Sequence, residues 1–162
     1  MKLHKKSVFL LLFCVIAAVL CTRILLHTVF GVASVAGTSM DPTISEHDIV
    51  WFSRLERCGN GDIVIVANRD PTQYPETFLK RIIGCPEDIL DIDDEGNVLR
   101  NGEKLDESYT WGVTDKKDAV DYPIKLQENE YFVMGDNREA SYDSRDFGTV
   151  DNSCIIGKII NK

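Results

Sequence analysis

The first forty residues contain no aspartate or glutamate, only Lys2, Lys5, Lys6 and Arg23 as charged side chains. The rest of the 162-residue chain therefore carries all 26 acidic residues against 14 of the 18 basic ones, a net charge of −12. A domain of that charge has no basic stripe, which excludes nucleic acid as a partner. Histidine is scarce, with His4, His27 and His47 scattered and only His47 beyond residue 40. Five cysteines, Cys14, Cys21, Cys58, Cys85 and Cys154, show no C-x-x-C or other metal-ligand spacing, so neither a metal centre nor a cofactor is expected. Their odd number prevents complete internal pairing. After residue 40 no stretch sustains a 3.6-residue apolar period, and no repeat or low-complexity tract appears, which argues against a helical bundle. The length suits one compact domain plus an anchor and leaves little room for a second core.

What the N-terminus does contain is a basic flank over residues 1–6, an uncharged run over 7–22, then Arg23 and a further apolar stretch over 24–36. Sixteen residues at 1.5 Å rise span about 24 Å, short of a hydrocarbon layer of about 30 Å, so Arg23 must snorkel or lie near the outer interface. A single membrane span over 7–30 is expected, with the lysines in the cytoplasm and residues 31–162 outside. The same flank, apolar run and small-residue site Ser34-Val35-Ala36 also fit a removable secretory signal. Taken by themselves, these residues leave both readings open.

Short β-branched and apolar runs recur beyond the anchor: residues 49–52, 63–66, 78–83, 89–92, 131–134 and 155–160. Between them lie turn signals, among them Asn101-Gly102, flanked by Val98-Leu99-Arg100 and Glu103-Lys104-Leu105 as a two-residue hairpin would be. The globular part is predicted to be mainly β, and the irregular residues 106–122 to form a long surface loop.

Three segments stand out. The first reads Ser39-Met40-Asp41-Pro42-Thr43-Ile44, the second Lys80-Arg81-Ile82-Ile83-Gly84-Cys85-Pro86-Glu87-Asp88. The third is a polar loop, Gly135-Asp136-Asn137-Arg138-Glu139-Ala140-Ser141-Tyr142-Asp143-Ser144-Arg145-Asp146-Phe147-Gly148. Taken singly, Ser39 reads as a turn hydroxyl, Lys80-Arg81 as a solvated dipeptide at a strand edge, and the loop charges as surface pairs worth about 0–1 kcal/mol each. A serine hydroxyl is a poor nucleophile near neutral pH. A lysine activates it only when burial or neighbouring cations leave the amine neutral. Lys80 has apolar strand neighbours, with Phe78 and Ile82 on its own face and Arg81 on the other.

In this order and spacing the segments resemble those of the bacterial type I signal peptidases, membrane-anchored Ser/Lys proteases that remove signal peptides from exported proteins. The resemblance covers residues 1 to about 160. It implies a coiled antiparallel β-sheet protease domain behind one N-terminal transmembrane helix, with signal peptides and the lipid bilayer as partners. It assigns Ser39 as nucleophile, Lys80 as general base and Ser141 as the group that orients the amine. Asp143 with Arg145, and Asp136 with Arg81, match ion pairs that fix the loop carrying Ser141. The nucleophile follows the anchor almost directly, which favours the anchor reading. Ser34-Val35-Ala36 also matches the family's own cleavage preference, so self-cleavage after Ala36 is an expectation to test.

A substrate is expected to add as a strand beside residues 35–38 and the strand of Lys80, with small residues at −3 and −1 entering apolar pockets. Val32, Val35 and Ile82 are candidates for their lining. Two departures from the commonest patterns stand out. Glu87 replaces a frequent glycine, which suggests a turn without positive φ. Gly37 stands where some relatives carry a hydroxyl, which leaves the oxyanion to backbone N–H, chiefly that of Ser39. Other readings are a self-cleaving Ser/Lys repressor-type protease, against which the apolar anchor argues, and a tethered β-rich binding module in which Ser39 and Lys80 are incidental.

Overall fold

The computed structural model describes residues 5–68 and 77–161. The first four residues of the basic flank, Lys2 among them, lie outside the described residues. Chain order begins with a long helix α1 (Lys5–Val29), followed by β1 (Phe30–Ser34), β2 (Ile49–Ser53), β3 (Ile63–Ala67), β4 (Thr77–Gly84), β5 (Ile89–Ile92) and β6 (Val98–Arg100). It continues with β7 (Glu103–Lys104), β8 (Ile124–Lys125), β9 (Glu130–Met134), the four-residue helix α2 (Ser144–Phe147), β10 (Val150–Asp151) and β11 (Ile155–Ile159). All ladders between these strands are antiparallel.

Helix α1 carries the apolar run and continues through Arg23, because arginine is a good helix former. The segment Ser7–Val29 is 23 residues long and apolar enough to cross a membrane. At 1.5 Å per residue it spans about 35 Å, more than the hydrocarbon layer requires.

A seven-stranded sheet in the order β1-β2-β11-β3-β4-β9-β10 and a four-stranded sheet in the order β7-β6-β5-β8 make the domain, and neither closes. β3 is buried along its length because both of its faces are covered. Ile63 and Ile65 pack with Val35, Met40, Ile44, Val50 and Phe52 on one face, while Val64 and Val66 pack with Ile82, Val133 and Val150 on the other. A further cluster joins the sheets, with Ile83, Phe132 and Met134 from the larger one meeting Leu90, Ile92 and Val98 from the smaller. Burying such a side chain contributes about 1.5–3 kcal/mol, so these clusters supply the main stabilisation. The predicted hairpin forms between β6 and β7, with Asn101 at φ 56° and Gly102 at φ 83°, the left-handed pair that a two-residue turn of this kind requires.

Two local expectations change. Glu87 does adopt positive φ, at 71°; its turn is tied by Glu87 N–H to Leu126 O at 3.1 Å and by Lys125 to its carboxylate at 3.0 Å. Residues 106–122 are not simply a surface loop. Trp111 bridges Asn137 in parallel, with Trp111 N–H donating to Asp136 O and Arg138 N–H to Trp111 O, both at 2.8 Å. The segment is an arm docked on the polar loop.

Candidate active site

The Ser39 segment turns directly after β1, and its placement is set by hydrogen bonds from the polar loop. Asn137 N–H donates to Ser39 O at 3.0 Å and Asn137 Nδ2 to Thr38 O at 3.2 Å. Met40 and Ile44 are buried in the core, so they anchor the turn from below while Ser39 stays half-buried at its surface. Opposite it, β4 presents Lys80, only 3 % exposed, with Nζ donating to Ser39 Oγ at 2.8 Å. The amine lies 5.7 Å from the centre of the Phe78 ring, two residues back on the same face.

No carboxylate pairs with Lys80 among the described salt bridges. Burial disfavours its charged form and, although Asp143 pulls the other way, the pKa falls from 10.5 to about 8. Arg145 adds to the lowering. A hydroxyl can donate as well as accept, so once the amine is neutral this contact can run from Oγ–H to the Nζ lone pair.

The polar loop is held by three arginines, Arg138 and Arg145 buried and Arg81 partly buried. Arg145 forks Asp143 with Nε and Nη2 both at 2.9 Å, and neither side chain is exposed beyond 1 %. Asp143 also caps α2 and accepts from Gly135 N–H at 3.0 Å, and these bonds hold its carboxyl below the usual carboxylate range despite burial. Arg81 forks Asp136 at 2.8 and 2.6 Å, Thr43 adds a hydroxyl to the same carboxylate at 2.5 Å, and the Tyr109 ring lies 4.0 Å from the guanidinium.

The third arginine, Arg138, was not singled out from sequence. It meets Glu107 through both terminal nitrogens, Thr114 Oγ1 at 2.6 Å and Gly135 O at 3.1 Å. Its position within a loop of strongly polar character was the available signal. Glu107, 31 residues away in an irregular stretch, gave none.

Gly135 sits at the convergence. A Cβ there would lie 2.3 Å from Ser141 Oγ and 2.4 Å from Ser39 O, so only glycine lets the two segments approach. Ser141 is buried beside it. Its hydroxyl helps keep the Asp143 carboxyl acidic, yet makes no hydrogen bond of good geometry to Asp143 or to Lys80. The expected Ser141–Lys80 bond is therefore not formed in this conformation.

A groove of about 210 Å³ opens at the Ser39–Lys80 contact, walled by Ala33, Val35, Met40, Val50, Ile65 and Leu79. Of the predicted lining residues only Val35 borders it. Val32 points the other way and is 53 % exposed, because alternate residues of β1 face opposite sides. Ile82 is 0 % exposed, sealed between Val64 and Val133 where β9 joins β4. Both are corrected as pocket residues. Among the described residues the edge of β4 over residues 77–80 has no partner strand on the β9 side, since that ladder starts at Arg81, and β1 is the outer strand of its sheet. Two open backbone edges thus border one groove. The Gly37 amide is taken by Glu46 Oε1 at 3.1 Å, whereas the Ser39 amide has no acceptor among the described residues.

The family described as signal peptidase, peptidase S26, matches residues 6–161. Signal peptidase I of Bacillus licheniformis is 33 % identical over 165 residues, covering 94 % of this chain and 87 % of that protein. Signal peptidase I S of Bacillus subtilis is 33 % identical over 153 residues, covering 87 % and 80 %. Among solved structures, a signal peptidase I from Enterococcus faecalis superposes with a TM-score of 0.52 at 25 % identity, covering 65 % of this chain and 98 % of that one. With the hydroxyl–amine contact, the loop that supports it and the apolar helix all inside the matched span, the chain belongs to the signal peptidase family, peptidase S26.

Proposed function

We propose that this protein is a membrane-anchored serine endopeptidase that removes signal peptides from exported preproteins, cutting after a small residue at −1 with another at −3. The observation that carries the reading is the 2.8 Å contact between Ser39 Oγ and a buried Lys80 amine whose pKa is lowered to about 8. In this mechanism neutral Lys80 takes the Oγ proton as Oγ attacks the scissile carbonyl carbon, and the oxyanion accepts from the Ser39 amide. The Lys80 ammonium then gives that proton to the departing amine as the C–N bond breaks. A water, deprotonated by the same amine, attacks the acyl ester and releases Ser39.

Ser141 is the positioning residue of this scheme, since its buried hydroxyl is unpaired and can turn toward Nζ. Asp136 with Arg81 and Asp143 with Arg145 hold its loop. The open edges of β4 and β1 suit an extended peptide, and the small apolar groove between them suits alanine-sized side chains better than large ones. Lysines at the N-terminus favour a single span with residues 1–6 cytoplasmic and the catalytic domain, residues 31–162, outside.

The test is incubation of detergent-solubilised wild type, Ser39→Ala and Lys80→Ala with a preprotein bearing Ala at −3 and −1, with cut sites mapped by mass spectrometry. Cleavage after the −1 residue that disappears in both variants is the expected result. A folded wild-type protein that cuts nothing would sink the proposal.

A further inference from the structure

A second and larger concavity, of about 770 Å³, lies where the chain leaves α1 and enters β1. It is lined by Arg23 and Leu26 from the helix, Phe30 and Val32 from β1, Trp51 from β2, and Arg54 just beyond β2. Val32 and Trp51 are cross-strand partners, and both leave about half their surface open, at 53 % and 51 %. Two features set this groove apart from an ordinary apolar patch.

The first is charge. The chain beyond residue 40 is strongly acidic, yet among the described residues neither Arg23 nor Arg54 has a carboxylate within salt-bridge distance. Arg54 is pinned through Nη1 to the carbonyls of His27 at 3.3 Å and Phe30 at 2.8 Å, with its guanidinium 4.7 Å from the centre of the Phe52 ring. Its Nε and Nη2 have no acceptor there. The Arg23 side chain makes no hydrogen bond among the described residues.

The second is height. Measured from Ser7 along the helix axis, Arg23 stands at about 24 Å and Phe30, with Arg54 bonded to its carbonyl, at about 35 Å. The hydrocarbon layer is about 30 Å thick, with headgroups beyond it. A snorkelling Arg23 therefore meets Arg54 in the headgroup layer on the domain's side, with Trp51 at the depth where tryptophan is enriched.

We propose that this groove binds the phosphate of an anionic phospholipid in the leaflet next to the catalytic domain. Arg23 and Arg54 hold the phosphate oxygens, and Val32 and Trp51 rest on the glycerol and upper acyl region. Guanidinium donors suit phosphate geometry, and continuity with the spanning helix puts a lipid rather than a free anion within reach. The site offsets the repulsion that an acidic domain feels near an anionic surface and fixes its tilt on the anchor. The inference rests on the anchored reading above, but it does not depend on peptidase activity.

The chain has two tryptophans, so a full-length Trp111→Phe protein reports on Trp51 alone. It is reconstituted in phosphatidylcholine vesicles carrying equal fractions of either brominated phosphatidylglycerol or brominated phosphatidylcholine, and Trp51 quenching is read. At least twofold stronger quenching by the phosphatidylglycerol is expected. Arg23→Gln and Arg54→Gln should each abolish the preference, whereas Arg57→Gln, outside the groove, should keep it. Arg23 makes no contact that its loss could unfold, so that variant decides the matter even if Arg54→Gln disturbs the junction. Equal quenching by both lipids, or a preference that survives Arg23→Gln, overturns the site. Loss of the preference in millimolar inorganic phosphate would reassign it to free anions and overturn the lipid. A lipid-free dimer in native mass spectrometry would give the groove to a second copy, with the same result. Release of the protein by alkaline extraction would overturn anchor and site together, whereas retention without selectivity overturns the site alone.

Discussion

At the scale of single residues, Lys80 trades stability for reactivity. In the proposed mechanism the competent form is the neutral amine, whose fraction rises with pH through about 8. kcat/KM should therefore fall about tenfold per pH unit below that value and level off above it. A pH–rate profile of peptide cleavage checks this, and a flat profile from pH 5 to 9 would contradict it. The stability effect has a defined sign. The folded pKa lies below the ordinary 10.5, so the unfolded chain binds more protons between about 8 and 10.5, and the folded state gains stability as pH rises through that window. Below it the full penalty stands. Lys80→Met should thus be inactive yet more stable at pH 7, by up to about 3 kcal/mol, with the gain vanishing near pH 10.5. Urea midpoints at the two pH values measure it.

At the scale of elements, the docked arm over residues 106–114 governs how firmly the dyad is supported. Glu107→Ala would leave Arg138 buried without its carboxylate, and breaking such a pair costs about 3–5 kcal/mol. The expected result is a destabilised protein whose activity falls even below its unfolding temperature, read by thermal melts alongside peptide cleavage. Gly135→Ala should act more locally, displacing Ser39 and Ser141 together and lowering kcat about 10²-fold with a smaller loss of stability.

This scale also separates what the sequence discloses from what it hides. Six of the seven strands of four or more residues were legible because short runs rich in β-branched and apolar residues lie between turn formers. β1 was not, since Phe30–Ser34 continues the apolar composition of the helix before it. β8 and β10 are too short to leave a pattern, and α2 exists because Asp143 and Asp146 cap its single turn rather than because its residues favour helix. Ser39, Lys80 and the Arg81–Asp136 and Arg145–Asp143 pairs could be named beforehand, and the structure brings them together. Glu107 could not, because its partner lies on another segment and neither residue has a local signature. Val32 and Ile82 were misplaced for a geometric reason: which face a strand residue occupies depends on parity and on where the neighbouring ladder begins.

At the scale of the molecule, nine residues separate the end of α1 at Val29 from Ser39, and five of them are spent on β1. The dyad cannot travel far from the plane in which the anchor sits. Such a tether turns the encounter between enzyme and membrane-inserted preprotein into a search over an area rather than a volume. The rate should then follow the number of molecules per unit of bilayer, a case of surface dilution. Adding empty lipid vesicle material, fused so that it mixes with a fixed amount of reconstituted enzyme and preprotein, should slow cleavage although no bulk concentration has changed. A soluble peptide cut by the same preparation should not notice the added lipid.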